Sequence, residues 1–329
     1  MKIIQFIKNN KCNVGIVENE EVSIIENYDI SYDLFREAIN TDTPVENLVE
    51  ENRSTEKLSF TDIYNSNQLL PPITHPDPAH FYVTGTGLTH LGSADSRNKM
   101  HATKDEEMTD SMKMFKIGLE GGKPNQGEMG AQPEWFYKGN GENVSGPTEN
   151  IYIPSFSLDG SEEPEVVGVY MINEKEEVVR IGYSIGNEFS DHVMEKQNYL
   201  YLAHSKLRQC SFGPEINLGN IPAEVKGMSK VIRDSKVIWE KEFLSGENNM
   251  SHSIENLERH HFKYDIFRKP GDLHIHYFGT ATLSFADGIK TQENDVFEIT
   301  SNVNSMPLKN SLKKQKSNNF KIKNLININ

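Results

Sequence analysis

Cysteine is almost absent, with only Cys12 and Cys210 in 329 residues. Two thiols supply neither a disulfide framework nor a thiolate metal cage, and they fit a reducing compartment, so the expected location is cytoplasmic. No apolar run approaches the roughly 18 residues of a membrane span. The opening Met1-Lys-Ile-Ile-Gln-Phe-Ile-Lys8 has too short an apolar part for a secretory signal. Positive charge is also scarce. The 34 Lys and Arg against 48 Asp and Glu give a formal charge of −14, which disfavours nucleic acid and anionic membrane as partners. A small anionic substrate would need a local cation. Common fingerprints are missing too: Gly85-x-Gly87 lacks the third glycine of a dinucleotide loop, no Gly-x-Ser-x-Gly occurs, and no internal repeat is found.

Against these absences stand three carboxylates in a telling pattern. Glu163-Pro-Glu165 heads one apolar run, and Gly186-Asn187-Glu188 ends the next. Glu163 and Glu165 are two apart on an extended segment, so their side chains share a face. The runs Val166–Asn173 and Val178–Phe189 flank the polar stretch Glu174–Glu177, and a hairpin centred there sets Glu188 opposite Glu163. Opposed residues lie about 5 Å apart at Cβ, and three carboxylates so close repel one another unless a cation sits between them. Hard oxygen ligands favour magnesium, with manganese or calcium as the other fits, over zinc. The bland alternative is a solvated acidic strand end. Both runs are nearly continuously apolar, however, as expected of strands covered on both faces.

The length allows one large domain or two. Residues 1–75 are polar with short apolar alternations, Val14–Val17 and Val22–Ile25, and suggest a small accessory region. Leu69-Leu-Pro-Pro-Ile-Thr-His-Pro-Asp-Pro78 packs four prolines into ten residues, predicting an extended linker. Residues 78–308 form the second, mainly β domain. Two helices are expected in it, one from Thr109-Asp110 to Gly121-Gly122 with Met112, Phe115 and Leu119 on one stripe, the other over Ser253–Phe267. A strand Leu273–Phe278 follows. The tail, 309–329, is rich in Lys and Asn without acids and is expected to be disordered.

The order of motifs over 78–308 resembles the fumarylacetoacetate hydrolase family. Tyr82-Val-Thr-Gly-Thr-Gly-Leu88, Trp135-Phe-Tyr-Lys138-Gly, Glu163-x-Glu165 with Gly-Asn-Glu188, Ser205-Lys206 through Phe212-Gly-Pro214, and Lys269-Pro-Gly-Asp272 with Phe278-Gly279-Thr280 follow one another as that family's motifs do. In the family the third ligand is more usually Asp. Asp110-Ser-Met-Lys-Met-Phe115 and Gly-Asn-Glu-Phe-Ser-Asp-His192 are similar to a branch associated with sugar-acid catabolism. The resemblance implies an α+β, mainly β protein with a mixed β-roll around a divalent metal, usually a homodimer, and a small 2-oxo acid as substrate.

A 2-oxo acid offers carboxylate and ketone oxygens as a chelate, and a Lewis acid there stabilises the enolate formed when a C3 proton or the C3–C4 bond is lost. Two reactions share that enolate: dehydration of a 2-oxo-3-deoxy sugar acid and hydrolytic C–C cleavage of a 2,4-dioxo acid. Family hydrolases carry a His and a Glu, three apart, to activate water. The matching positions here hold Ser93 and Ser96, which leans toward elimination, although His90, Asp95 or Glu107 could take the role. A non-catalytic sugar-acid sensor and a structural protein without metal are the other classes to test. By family position Lys206 assists the metal site, Lys138 is a second candidate, and Gly279 and Thr280 bind substrate. His192 is read either as an acid or base or as a support for the ligands. His274 and His276 alternate on a strand and, lacking a third ligand, read as a structural pair.

Overall fold

The computed structural model of the chain describes residues 1–92, 108–317 and 320–325. At the N-terminus β1 (Lys2–Lys8), β2 (Lys11–Glu18) and β3 (Glu21–Ile25) make an antiparallel meander. Its turns, Asn9-Asn10 and Asn19-Glu20, take positive φ, which asparagine tolerates better than most residues. Then come α1 (Ser31–Thr41), α2 (Val45–Glu51), β4 (Leu58–Ser59) and α3 (Phe60–Asn65). The polar composition hid these helices, yet Leu34, Phe35 and Ala38 of α1 lie at helical spacing and are buried.

The rest begins with β5 (Phe81–Gly87), α4 (Asp110–Gly121), β6 (Glu134–Asn140), β7 (Val144–Ser145) and β8 (Asn150–Ile153). Thr109 caps α4 by accepting from Met112 N at 3.3 Å. The central hairpin is β9 (Pro164–Ile172) and β10 (Val178–Asn187). Its tip is turned by Asn173, whose Oδ1 accepts from Lys175 N and Glu177 N. After it come α5 (His192–Gln197), α6 (Leu202–Lys206), β11 (Cys210–Leu218), β12 (Val225–Arg233) and β13 (Lys236–Ser245). The chain then runs through α7 (Ile254–Phe262), β14 (Leu273–Tyr277), β15 (Val296–Ser301) and β16 (Leu308–Lys314). The second expected helix thus ends earlier than the sequence suggested. The Arg268 guanidinium donates to the Phe262 carbonyl and closes α7 there.

An 11-stranded mixed sheet runs β4-β3-β2-β1-β11-β10-β9-β14-β5-β6, with β7 beside β11, and a 5-stranded sheet runs β13-β12-β15-β16-β8. This is the mixed β-roll architecture expected of the resemblance. All nine residues of β9 are buried, as its unbroken apolar run required. The 1–75 region is joined to the rest through β1 and β11, where Lys2 pairs with Asn217 and Ile3 with Ile216, and one apolar cluster includes Ile3, Val14, Ile16, Phe212 and Ile216. The proline segment is not the extended linker expected: it bends at Pro72 and at Pro76-Asp77, enters a 3-10 turn at Pro78, and is pinned where Gln5 Nε2 donates to Pro71 O at 2.7 Å and Ser31 Oγ to Pro72 O at 2.7 Å.

The expectation of a disordered tail from 309 is corrected at its start. Lys309, Lys313 and Lys314 lie on β16, an interior strand paired with β15 and β8. Leu308, Asn310 and Leu312 alternate inward and are buried, so two leucines and the ladder's hydrogen bonds suffice to order it. Among the described residues no helix is long and apolar enough to cross a membrane.

Candidate metal centre

The central hairpin brings the carboxylates together. Gly186 pairs with Glu165 and Asn187 with Pro164, and Glu188 N donates to Glu163 O at 2.9 Å, the opposition the spacing predicted. Nearer the tip the register slips by one at a bulge between Arg180 and Gly182. Glu163, Glu165 and Glu188 are buried and each offers an oxygen within 4.8 Å of the others.

Two lysines from distant elements enter the same space. Lys206, at the end of α6, places Nζ 2.6 Å from Glu163 Oε1 and 2.6 Å from Glu188 Oε2, and donates to Ser190 Oγ at 3.1 Å. Lys138, wholly buried on β6, lies 2.6 Å from Glu188 Oε1 and donates to the Phe189 carbonyl at 2.6 Å. Next to them, His192 Nε2 is 3.0 Å from Glu163 Oε1, and its Nδ1 is 2.7 Å from Ser161 Oγ. Glu165 is treated differently. Among the described residues it forms no ion pair, and its Oε2 accepts from Gly279 N at 2.7 Å. Gly279 has φ +91°, and a Cβ there would stand 2.4 Å from Thr89 Oγ1, so only glycine presents that N–H.

Charge follows this geometry. Burial opposes the Glu163 anion, but Lys206 and His192 outweigh it and hold the carboxyl well below its usual range. Burial, then the charges of Glu188 and Glu163, push Glu165 well above it. Glu188 is raised by burial against the pull of Lys138 and Lys206. Lys206 pays for desolvation yet stays well above its ordinary value beside Glu163 and Glu188. The His192 imidazole, despite burial, is raised to about 9 by Asp159 and Glu163. Three carboxylates thus face two ammonium groups and the His192 imidazole, and the deficit lies at Glu165, which has no ion-pair partner among the described residues and is repelled by Glu188 and Glu163. A hard divalent cation fits that deficit and that oxygen donor set.

Two further carboxylates escaped the sequence reading. Glu134 is buried, accepts from Tyr199 OH at 3.0 Å, and is pushed up to about 7, chiefly by burial. It shares the inner face of β6 with Phe136 and Lys138, so stepping back by twos from Lys138 would have found it. Phe136 also carries Lys206 Nζ 5.0 Å above its ring. Glu162, next to Glu163, is likewise buried and pushed up to about 7, mainly by burial. His192 and Tyr199 line a cavity of about 790 Å³ with Leu283 and Phe285. Thr280 lines a neighbouring one of about 620 Å³ with His90, Lys241 and Asn249. Ser93, Ser96, Asp95 and Glu107 lie outside the described residues. His274 and His276 belong to no three-ligand cluster among the described residues. They sit in an aromatic layer, His274 stacked on Tyr82 at 4.9 Å and His276 on His261 at 5.0 Å.

No family model matches the chain. A 2-dehydro-3-deoxy-D-arabinonate dehydratase of Saccharolobus solfataricus is 31% identical over 183 residues, 53% of this chain and 57% of that protein. The chain therefore aligns with little more than half the length of that relative. The structure of a 2-keto-3-deoxy-D-arabinonate dehydratase complexed with magnesium and 2,5-dioxopentanoate superposes with a TM-score of 0.69 at 22% identity, over 96% of this chain and 100% of that one. A fumarylacetoacetate hydrolase from Exiguobacterium antarcticum gives 0.60 at 16% identity over the same shares. The resemblance read from the motifs is borne out: the chain has the fumarylacetoacetate hydrolase fold.

Proposed function

We propose, for a chain with the fumarylacetoacetate hydrolase fold, that it is a divalent-metal-dependent dehydratase of a 2-oxo-3-deoxy sugar acid. The observation that carries the reading is the buried cluster of Glu163, Glu165 and Glu188 around which Lys206 and Lys138 converge. The 31%-identical dehydratase supports elimination over hydrolysis. Glu163, Glu165 and Glu188 would hold magnesium, which supplies Lewis acidity to the substrate's C1 carboxylate and C2 oxygen.

The remaining steps fall to the chain's own groups. Lys206 stabilises negative charge developing on the C2 oxygen, and Lys138 offsets the burial of the Glu188 carboxylate and holds it in place. Gly279 fixes Glu165 through its N–H, and Thr280 presents its side chain to the substrate. Glu134, poised near neutrality, accepts the C3 proton. His192, held by Ser161 and Glu163, gives a proton to the C4 hydroxyl as the C4–O bond breaks, so water leaves while Glu134 holds the C3 proton and atoms balance. The family resemblance supports a homodimer, and the two free thiols, Cys12 and Cys210, support a reducing, cytoplasmic location.

The test is turnover of the purified protein, with and without magnesium, on 2-oxo-3-deoxy pentonates and hexonates beside acylpyruvates. Magnesium-dependent dehydration of a sugar acid is expected. Rapid cleavage of an acylpyruvate alone would replace the reading with a hydrolase, and tight binding without turnover would favour a sensor.

A further inference from the structure

We propose that Glu162 is a positioning residue for this site, holding the Ser284–Asp287 turn so that Phe285 stacks on the His192 ring that contacts Glu163. Glu162 and Glu163 are neighbours on an extended approach to β9, so their side chains leave on opposite sides. Glu163 enters the carboxylate cluster. Glu162 turns away to the loop after β14, where Oε1 accepts from Ser284 N at 2.9 Å and Oε2 from Ser284 Oγ at 2.8 Å. Both carboxylate oxygens are therefore committed to one buried serine, and neither Glu162 nor Ser284 is exposed. A second tie lies close by, from Thr291 Oγ1 to the Gly160 carbonyl at 2.7 Å.

The residue after Ser284 is the one that reaches the site. The Phe285 ring lies 5.2 Å from that of His192 at an interplanar angle of 17°. His192 is held in its plane by Ser161 Oγ on Nδ1 and by Glu163 Oε1 on Nε2, contacts that still allow the ring to tilt about the line joining them. The Phe285 face removes that freedom, and the turn that carries Phe285 is anchored by Glu162. A glutamate in the wall of the site thus acts on the reacting atoms only through Ser284, Phe285 and His192. Resting on the dehydratase reading, this matters because a proton donor must stay aligned with the departing C4 hydroxyl, and small misalignments cost rate steeply.

Glu162→Ala, Glu162→Gln and Phe285→Leu in the full chain test this. The first readout needs no substrate: the imidazole ¹H–¹³C signals of His192, which the Phe285 ring current displaces. Glu162→Ala and Phe285→Leu should shift and broaden them. Glu162→Gln, able to accept from Ser284 N and donate to Ser284 Oγ, should leave them near the wild-type positions. The second readout is kinetic: kcat about tenfold to a hundredfold lower in the first two variants, with KM and magnesium affinity within about twofold and activity retained in Glu162→Gln. If Glu162→Ala fails to fold, Ser284→Ala decides by the same signals, because it removes the Oγ tie to Glu162 Oε2 and keeps the Phe285 ring. Unchanged His192 signals in Phe285→Leu, or in a folded Glu162→Ala, would overturn the proposal. A wild type that dehydrates no sugar acid would overturn the reaction instead, while the His192 signals would still decide the positioning.

Discussion

Two buried polar centres share the neighbourhood of β14 and solve the same problem in opposite ways. The carboxylate centre keeps its charges and surrounds them with opposite ones: Lys206 reaches Glu163 and Glu188, and Lys138 reaches Glu188. The histidine centre, His261, His274 and His276, discards charge. It is packed among Tyr82, Trp135, Phe262 and Phe267, and among the described residues the Nε2 atoms of His274 and His276 have no hydrogen-bond partner. Burial holds all three imidazoles far below their ordinary range, His261 down to about 3. A centre that retains charge in the interior is suited to bind a cation and an anionic substrate. A centre that has given up charge is suited to filling space, at the cost of acid sensitivity.

The largest expected effect breaks the first centre's balance. Lys206→Met leaves Glu163 and Glu188 without their shared ammonium, so the metal-free protein should lose about 3–5 kcal/mol in urea unfolding. Millimolar magnesium should restore much of it, and turnover should fall while metal still binds. An unfolding midpoint equal to wild type would show that the ion pairs carry no such role.

A somewhat smaller effect separates binding from stability within the same centre. Glu165 has no ion-pair partner among the described residues and is repelled by its neighbours, so Glu165→Gln should relieve strain in the metal-free protein. Its thermal midpoint should hold or rise while magnesium affinity, measured calorimetrically, falls roughly a hundredfold, about 2.7 kcal/mol. A fall in both would mean that Glu165 contributes to the fold as well as to the cation.

The smallest effect reads the histidine centre. Below about pH 6.5 the unfolded chain's imidazoles bind protons, whereas those of the fold do not until far lower pH, so acid favours unfolding. Buried Glu134 and Glu162 work the other way, since carboxyls raised to about 7 take up protons in the fold first. Comparing wild type with His261→Phe isolates the contribution of His261. Between pH 7 and pH 5 the wild type should lose about 2 kcal/mol relative to the variant. Parallel stability profiles would show that His261 is not held neutral.

The two centres also differ in how legible they were. Glu163, Glu165 and Glu188 could be placed together because their arrangement depends on strand alternation and one hairpin register, both local in the chain. The family motifs marked Lys138 and Lys206 but gave no distances. Glu134 and Glu162 were passed over because a glutamate beside an aromatic run, or beside another glutamate, reads as surface until the strand's inner face is known. The histidines looked like an isolated pair because His261 arrives from α7, thirteen residues earlier.

By itself the sequence determined the short-range geometry: the β9–β10 hairpin with its three opposed carboxylates, the Thr109-capped helix, and the ordered motifs that identify the fold. Tertiary structure alone decided what faces those carboxylates. β14 lies between β9 and β5, antiparallel to one and parallel to the other, which delivers Gly279 to Glu165, while β6 and α6 deliver Lys138 and Lys206. It also turned Leu308–Lys314 from a basic tail into an interior strand. The reason is physical: alternation and turn chemistry act over a few residues and are written in the chain. The partners of a central strand are chosen only when the whole core competes to bury its apolar faces and to pair its buried charges.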